Sequence, residues 1–316
     1  MQYYSNTLEF ANSLPSVITL GKFDGLHRGH ELLINKIMEI KTSFSEINIV
    51  FTFDIPPKTI LVGEKNEVIT TNYEKKRIFE NLQIDFLIEC PFTDSVRNME
   101  PEKFISWITK ALSIRHIVVG TDFCFGRNRA GNTEVLRAFE SRYGYETIVV
   151  EKLCENGREI SSTFVRECLK NGDLSHANRL LGYPYFVCGT VSHGSGIGHT
   201  IGVPTINLNP PPDKLLPVFG VYLCDVRIDR ICYRGVGNVG VKPTISGSRN
   251  PGIEVFLFDF SGDLYGKEVR VDFLSFLRPE MRFDSTEALR IQLLRDIETA
   301  KKCDLLHKYY KKFEKK

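Results

Sequence analysis

The sequence predicts an α/β half built on a parallel sheet, followed by an antiparallel β half that ends in one long helix. Three observations predict it. The first half alternates short continuous apolar runs with helix-period segments, the pattern of β-α-β units whose sheet is covered on both faces. From about Pro184 the runs alternate apolar and polar residues and are divided by Gly/Pro/Asn/Asp turns, which suggests an antiparallel barrel or sandwich. The chain has 316 residues, for which two domains are the natural expectation.

In order along the first half, strands are expected at Ser16–Leu20, Ile47–Phe53, Asp85–Glu89, His116–Gly120 and Glu146–Val150. Each is a short apolar run without the 3.6-residue period of a helix. Helices are expected between them near Glu31–Ser43, Asn72–Asn81, Pro101–Leu112 and Thr133–Tyr143, where the apolar residues return every three to four positions. Ligands of such a sheet bind beyond the carboxyl ends of the strands.

In the second half, strands are expected at Tyr185–His193, Gly220–Asp229, Ile231–Val239, Ile253–Phe258 and Glu268–Phe276. The breaks are Asn209-Pro210-Pro211-Pro212-Asp213, Ser246–Gly252 and Ser261-Gly262-Asp263. A final helix, roughly Ser285 to Tyr310, carries Leu289, Leu293 and Ile297 as one stripe for packing on the barrel. The boundary is placed near Leu181-Gly182-Tyr183-Pro184, giving domains 1–182 and 183–316.

Composition excludes several classes. Hydrophobic residues at 42% and charged residues at 25% describe an ordinary globular protein. A net charge of +2 offers no basic stripe for nucleic acid, and the lysines at 311, 312, 315 and 316 read as a solvated helix end. No apolar run reaches membrane-span length, and the first residues lack a signal-peptide layout. The eight cysteines are scattered without a Cys-x-x-Cys pair, as expected of free thiols in a reducing cytoplasm.

The most informative segment runs from Thr19 to His30, Thr-Leu-Gly-Lys-Phe-Asp-Gly-Leu-His-Arg-Gly-His. It carries a strand through a glycine-rich turn into a helix that begins with two histidines. A helix start presents unpaired N–H groups and the positive end of its dipole, which suits phosphate. Gly25 and Gly29 admit a sharp turn and a close ligand, while His27 and His30 share one face of the first turn. No third ligand with zinc spacing lies nearby. The combination points to nucleotidyl transfer.

Two more segments join it. Gly120 to Asn132 leaves the fourth expected strand as a glycine- and arginine-rich loop holding Asp122 and Arg129. Ile160-Ser161-Ser162-Thr163-Phe164-Val165-Arg166 begins a helix with hydroxyl caps and an arginine one turn in, a second phosphate grip. The second half continues with Ala177 to Tyr185, Gly202-Val203-Pro204-Thr205-Ile206-Asn207, Gly220-Val221-Tyr222, Gly237 to Thr244, Glu254 and Asp259 to Gly266. In this order the motifs resemble the bacterial bifunctional riboflavin kinase/FAD synthetase family, over nearly the whole chain.

The resemblance implies a Rossmann-like nucleotidyltransferase sheet that turns FMN and ATP into FAD and pyrophosphate. It also implies a riboflavin kinase-like barrel that turns riboflavin and ATP into FMN, with Mg2+ needed by both. It assigns ATP-phosphate contacts to His27 and His30, and the tail grip to Ser161, Ser162, Thr163 and Arg166. Gly21, Phe23, Asp24, Gly25 and Gly29 shape that pocket, with Asp122 and Arg129 lining it. In the kinase it assigns Thr205 and Asn207 to magnesium and ATP phosphates, and Glu254 as base for the riboflavin hydroxyl. By alternation Glu254 shares a face with Phe256 and Phe258. Gly194, Gly198, Gly202, Pro204, Asn238 and Arg278 complete the expected kinase site, and Glu280 and Phe283 match the family segment before the last helix.

The run His193-Gly194-Ser195-Gly196-Ile197-Gly198-His199 leads into Gly202-Val203-Pro204 rather than a helix. It therefore fits a flap over phosphates and not a dinucleotide fingerprint. Three places depart from the family pattern. The run Thr52-Phe53-Asp54-Ile55-Pro56-Pro57 has no histidine, where the family usually carries one between two prolines and Ile55-Pro56 stands for a histidine-containing pair. His199 replaces an arginine, and Ile206 replaces an alanine. Two rival readings are a kinase with a weakened adenylyltransferase and a non-catalytic flavin-binding regulator. The expected partners are small molecules alone, with no nucleic acid and no membrane.

Overall fold

Strands β1 (Gln2–Ser5), β2 (Ser16–Leu20), β3 (Ile47–Phe53), β4 (Phe86–Cys90), β5 (Ile114–Gly120) and β6 (Glu146–Val150) form one sheet in the order β1-β4-β3-β2-β5-β6. Every pairing is parallel. All five residues of β2 are buried, because helices cover both faces and leave no polar side.

Successive side chains sort onto the two faces. Ile18, Leu20, Ile49, Phe51 and Ile88 pack with Phe104, Ile105, Ile108 and Leu112 of α4 (Pro101–Leu112), after the single-turn α3 (Asp94–Arg97). Val17, Val50, Leu87 and Val118 pack with Ile34, Ile37 and Ile40 of α1 (Arg28–Phe44) and Phe79 of α2 (Asn72–Asn81). The α2 start is fixed by a capping box between Thr71 and Glu74. The helix expected over Thr133–Tyr143 is two, α5 (Thr133–Ala138) and α6 (Glu140–Tyr143), because Phe139 leaves helical geometry at φ −102°, ψ 0°. β1 has no sequence signal: it is a half-exposed edge strand with polar ends.

The chain walks outward from β2 to β3 to β4, then returns to place β5 on the other side of β2. A crevice opens where two neighbouring strands send their chains in opposite directions, here between the carboxyl ends of β2 and β5. That crevice receives the loops after Leu20 and Gly120. The short hairpin β7 (Cys154–Glu155) and β8 (Arg158–Glu159) follows β6 and leads to Ser161.

The chain divides into two compact units, Met1–Ser162 and Thr163–Lys316. Helices α7 (Ser162–Lys170) and α8 (Leu174–Leu181) precede the barrel. Asn178 of α8 donates to the Phe273 carbonyl and accepts from the Tyr185 N–H, so that helix is pinned to the strands beyond it. The barrel is closed and antiparallel, in the order β10-β13-β12-β11-β14-β9. Its strands are β9 (Phe186–Ser192), β10 (Thr205–Leu208), β11 (Gly220–Ile228), β12 (Ile231–Pro243), β13 (Arg249–Leu257) and β14 (Glu268–Pro279).

Of the two expected architectures, barrel and sandwich, the barrel forms. β10 lies in a segment expected only as a ligand motif, and closure depends on it, since it bridges β9 and β13. Arg249–Gly252, expected as part of a turn, continues the β13 ladder opposite β12. Pro251 fits there because β10 pairs only with Ile253–Phe256, which leaves that stretch an edge. The last helix, α9 (Thr286–Phe313), sets Ile297, Ala300 and Cys303 against Val221, Leu223, Val236, Phe256 and Phe258.

The computed structural model describes residues 1–54, 67–194, 202–243 and 249–313, and only the backbone at 242–243, 249–250 and 304–313. Ile55, Gly198 and His199 lie outside the described residues. Among the described residues no helix is long and apolar enough to cross a membrane, and none of the eight cysteines forms a disulfide.

Candidate functional site

In the first unit the loop after β2 takes an uncommon path. Phe23, Gly25 and Leu26 have φ of +47°, +82° and +38°, and the two bulky residues store strain that a free loop would release. Tertiary contacts hold them. Phe23 is fully buried, with Phe79 edge-on at 5.7 Å and the His30 ring at 5.2 Å. The buried Asp24 accepts from the Ile69 and Thr70 N–H groups at 2.8 and 3.1 Å, and the Gly25 N–H donates to Thr70 Oγ1 at 2.9 Å. Ser162 Oγ donates to the Asp24 carbonyl at 2.7 Å, drawing the start of α7 to this loop.

His27 is the N-cap of α1 but makes no side-chain cap. Its ring stacks on that of His30, with centroids 3.7 Å apart and planes at 25°. Gly29 permits this, since a Cβ there would stand 3.1 Å from His27 Nδ1 and 3.3 Å from the Ile160 carbonyl oxygen. The Nδ1 atoms of both histidines are buried with no hydrogen-bond partner among the described residues. Burial pushes His27 down to about 4, and burial together with the His27 charge pushes His30 well below the usual histidine value. Both rings are therefore neutral at pH 7. A buried polar atom without a partner costs free energy, so the pair is poised for an incoming polar group.

Asp122 is exposed, and its carboxylate pairs with Lys152 Nζ at 3.0 Å. Arg129 is exposed at φ +59° on the turn Arg127–Arg129, whose first residue pairs with Glu100 at 3.0 Å. These contacts gather Phe23, Asp24, Gly25, His27, Gly29, His30 and Ser162 into one set, with Gly21 beside the Phe23 ring. Thr163 and Arg166 belong to α7 within the second compact unit. Nothing local in the sequence marks Thr70 or Lys152, single polar residues in unremarkable surroundings.

In the second unit the expected kinase residues meet through strand register. Asn207 lies opposite Ser192 on β9 and Glu254 on β13, and Glu254 lies opposite Asn238 on β12. Asn238 pairs with Val221 on β11, which pairs with Arg278 on β14. Directly opposed residues of antiparallel strands share a face. Ser192, Asn207, Glu254, Asn238, Val221 and Arg278 therefore form one row around the barrel, on the face that α9 covers. Thr205, two residues before Asn207, stands opposite Phe256 on that same face.

Asn207 is buried, and Gly194 lies against it so closely that a Cβ would fall 2.2 Å from its Nδ2. Gly202 takes a φ of +76° before the exposed Pro204 and half-buried Thr205. Arg278 makes a bidentate pair with Asp296 of α9, at 2.8 and 2.7 Å, and Gln292 adds a donor to Asp296 at 2.9 Å. Its guanidinium thus ties β14 to the helix. Neutral oxygens from Thr205 and Asn207 beside one carboxylate are a donor set that suits a hard cation.

Known proteins are similar to both halves of the chain. A family model described as FAD synthetase matches residues 10–164, and one described as riboflavin kinase matches residues 181–303. Proteins named bifunctional riboflavin kinase/FMN adenylyltransferase are similar over most of their length. The one from Listeria monocytogenes is 33% identical, covering 89% of this chain and 90% of its own. That from Escherichia coli is 35% identical, covering 90% and 91%. A solved structure from Streptococcus pneumoniae, named a macrolide-efflux protein, superposes with a TM-score of 0.83 at 32% identity, covering 93% of this chain and 96% of that one.

Proposed function

Since this chain belongs to the bifunctional riboflavin kinase/FMN adenylyltransferase family and carries both activities, we propose a division of labour between its two polar clusters. The chain phosphorylates riboflavin with ATP to FMN, then adenylylates FMN with a second ATP to FAD and pyrophosphate. The observation that carries the division is that the polar residues gather in two separate sets, one at the crevice of the parallel sheet and one in a row on the barrel. We assign the first to 1–182 and the second to 183–316, in the reducing cytoplasm that free thiols suit.

In adenylyl transfer an FMN phosphate oxygen attacks the ATP α-phosphorus while the bond to the β-phosphate oxygen breaks. The nucleophile is already an anion, so no base is needed, and positioning and charge neutralisation do the chemistry. His27 and His30 supply N–H donors to the phosphates. Their burial means that each ring takes up a proton more readily once an anion replaces the missing partner. The N–H groups at the start of α1 add to this, and Phe23, Asp24 and Gly25 keep the loop in its strained form. Ser161, Ser162, Thr163 and Arg166 hold the polyphosphate tail, with Asp122 and Arg129 at the crevice wall.

In riboflavin phosphorylation the ribityl hydroxyl attacks the γ-phosphorus, its proton passes to Glu254, and ADP leaves. Asn238 and Asn207 flank Glu254 in the row and orient the two substrates. Thr205 and Asn207 would hold Mg2+, which neutralises phosphate charge when bound. Gly194, Gly202 and Pro204 shape the segment around Asn207.

Reciprocal single variants test the assignment. Glu254→Ala is expected to stop FMN formation while added FMN is still converted to FAD. His30→Ala is expected to stop FAD formation and leave FMN formation intact, both read by chromatographic separation of flavins. Equal loss of both products in either variant would refute two independent sites.

A further inference from the structure

Lys152 stands immediately before the β7–β8 hairpin, and nothing in the reaction chemistry above calls on it. Its ammonium reaches two carboxylates, Glu159 Oε2 at 2.8 Å and Asp122 Oδ2 at 3.0 Å. Each partner belongs to a different segment of the adenylyl-transfer crevice. Asp122 is on the turn that leaves β5, tightened by the Phe123 N–H bond to the Gly120 carbonyl at 3.1 Å. Glu159 ends β8, two residues before Ser161, and the next residue is tied back by the Ile160 N–H bond to the Leu153 carbonyl at 2.9 Å.

Lys152 follows β6 and Asp122 follows β5, so the triad joins the chain leaving the carboxyl ends of two neighbouring strands, and β5 also borders the crevice toward β2. One cation thus braces the two segments that carry the expected crevice wall and phosphate grip. It also offsets the negative charge of Asp122 beside a site that must accept two anionic substrates. The ammonium is about one-third exposed, and the Glu159 hydrogen bond raises its pKa further, so it stays charged at any working pH.

We propose that Lys152 is a positioning residue of FMN adenylylation, a clasp that sets the spacing between the loop after β5 and the Ser161–Ser162 grip. The proposal rests on the assignment of that crevice to adenylyl transfer. A partly exposed pair contributes little to global stability, so the clasp acts on substrate binding and not on folding.

The test uses the full chain and the variants Lys152→Met and Lys152→Arg, each also placed in an Asp122→Asn/Glu159→Gln background. Lys152→Met should raise the KM for FMN or ATP in adenylylation by roughly three- to tenfold, with kcat changed less than about twofold. Riboflavin phosphorylation by the same preparation should be unchanged, and Lys152→Arg should recover most of the loss. In the Asp122→Asn/Glu159→Gln background, Lys152→Met should add nothing, because the clasp is already open. An unaltered KM, or an effect that persists undiminished in that background, would overturn the proposal, the latter by showing that the ammonium touches substrate itself. Amide exchange without substrate gives a second readout: Lys152→Met should speed exchange in 120–125 and 159–162 only. Faster exchange with no FAD made by the parent protein would sink the crevice assignment and leave the clasp standing, whereas unchanged exchange would sink the clasp.

Discussion

The two sites are built on opposite plans. The set proposed for adenylyl transfer sits on loops at the carboxyl ends of parallel strands, and most of it comes from one continuous stretch, Gly21 to His30. The set proposed for the kinase lies on a row across strands β9, β10, β13, β12, β11 and β14, one residue of the row from each. A parallel sheet commits its strand interiors to packing on both faces, so polar function moves into the turns. A barrel strand shows one face to the interior and one outward, so polar residues can sit within the strands themselves. The first plan yields a motif that can be read along the chain. The second yields partners that are neighbours only after the register is set.

The comparison is broken most sharply by the two expected proton and charge handlers. Glu254→Gln should slow riboflavin phosphorylation by about 10²–10⁴-fold, the usual worth of a positioned base, measured as initial rate of FMN formation. His30→Ala should lower FAD formation by about 10²–10³-fold, since it removes a preorganised donor to the phosphates. If either variant impaired the other reaction to a similar extent, the two plans would not be independent.

Next in size is the tie between strand and helix. Asp296→Ala leaves the Arg278 guanidinium, itself largely buried, without its bidentate partner and should destabilise the barrel by about 3 kcal/mol. Chemical denaturation followed by a signal from the second unit measures it. A loss confined to flavin or ATP affinity would instead place Arg278 in the binding site.

A smaller effect separates the sites by pH. The His27 pKa falls from 6.5 to about 4 on folding, so the unfolded chain binds more protons between these values. Stability without ligand therefore declines as pH drops from 6.5 to 4, by about 3 kcal/mol in total from this residue. The denaturation midpoint of the first unit should fall through that window, and His27→Gln should remove this residue's share of the slope while that of His30 stays. ATP should oppose the decline at pH 5.5, because an anion at the rings favours their charged form. The smallest expected change is at Gly194→Ala, whose new methyl must displace Asn207: the KM for ATP in the kinase reaction should rise while adenylylation is unaffected.

Much of the fold was legible because its signal is local. Continuous apolar runs revealed strands β2, β3, β4, β5 and β6, and alternation revealed β9, β11, β12, β13 and β14. β1 escaped because an edge strand needs little apolar character, and β10 because four residues are too few to display a period. At the site, the histidines, the glycines and Ser162 were named from the chain alone. Their stacking, the left-handed path of Phe23 and Leu26 and the clasp at Lys152 were not, since each depends on groups far away in sequence.

The sequence by itself determined the two-part architecture, the family and the residue types at both sites, because these follow from periodicity and from contiguous motifs. The tertiary structure alone decided which charges are buried and what they meet. Lys75 and Glu89 face each other at 3.9 Å in the interior, with Tyr3 donating to Glu89, and nothing local in the sequence marks that pairing. Burial lowers the pKa of Lys75 and raises that of Glu89. The same holds for His27 and His30. Their identity is local, but their neutral state and unpartnered nitrogens are consequences of desolvation, which depends on everything packed around them.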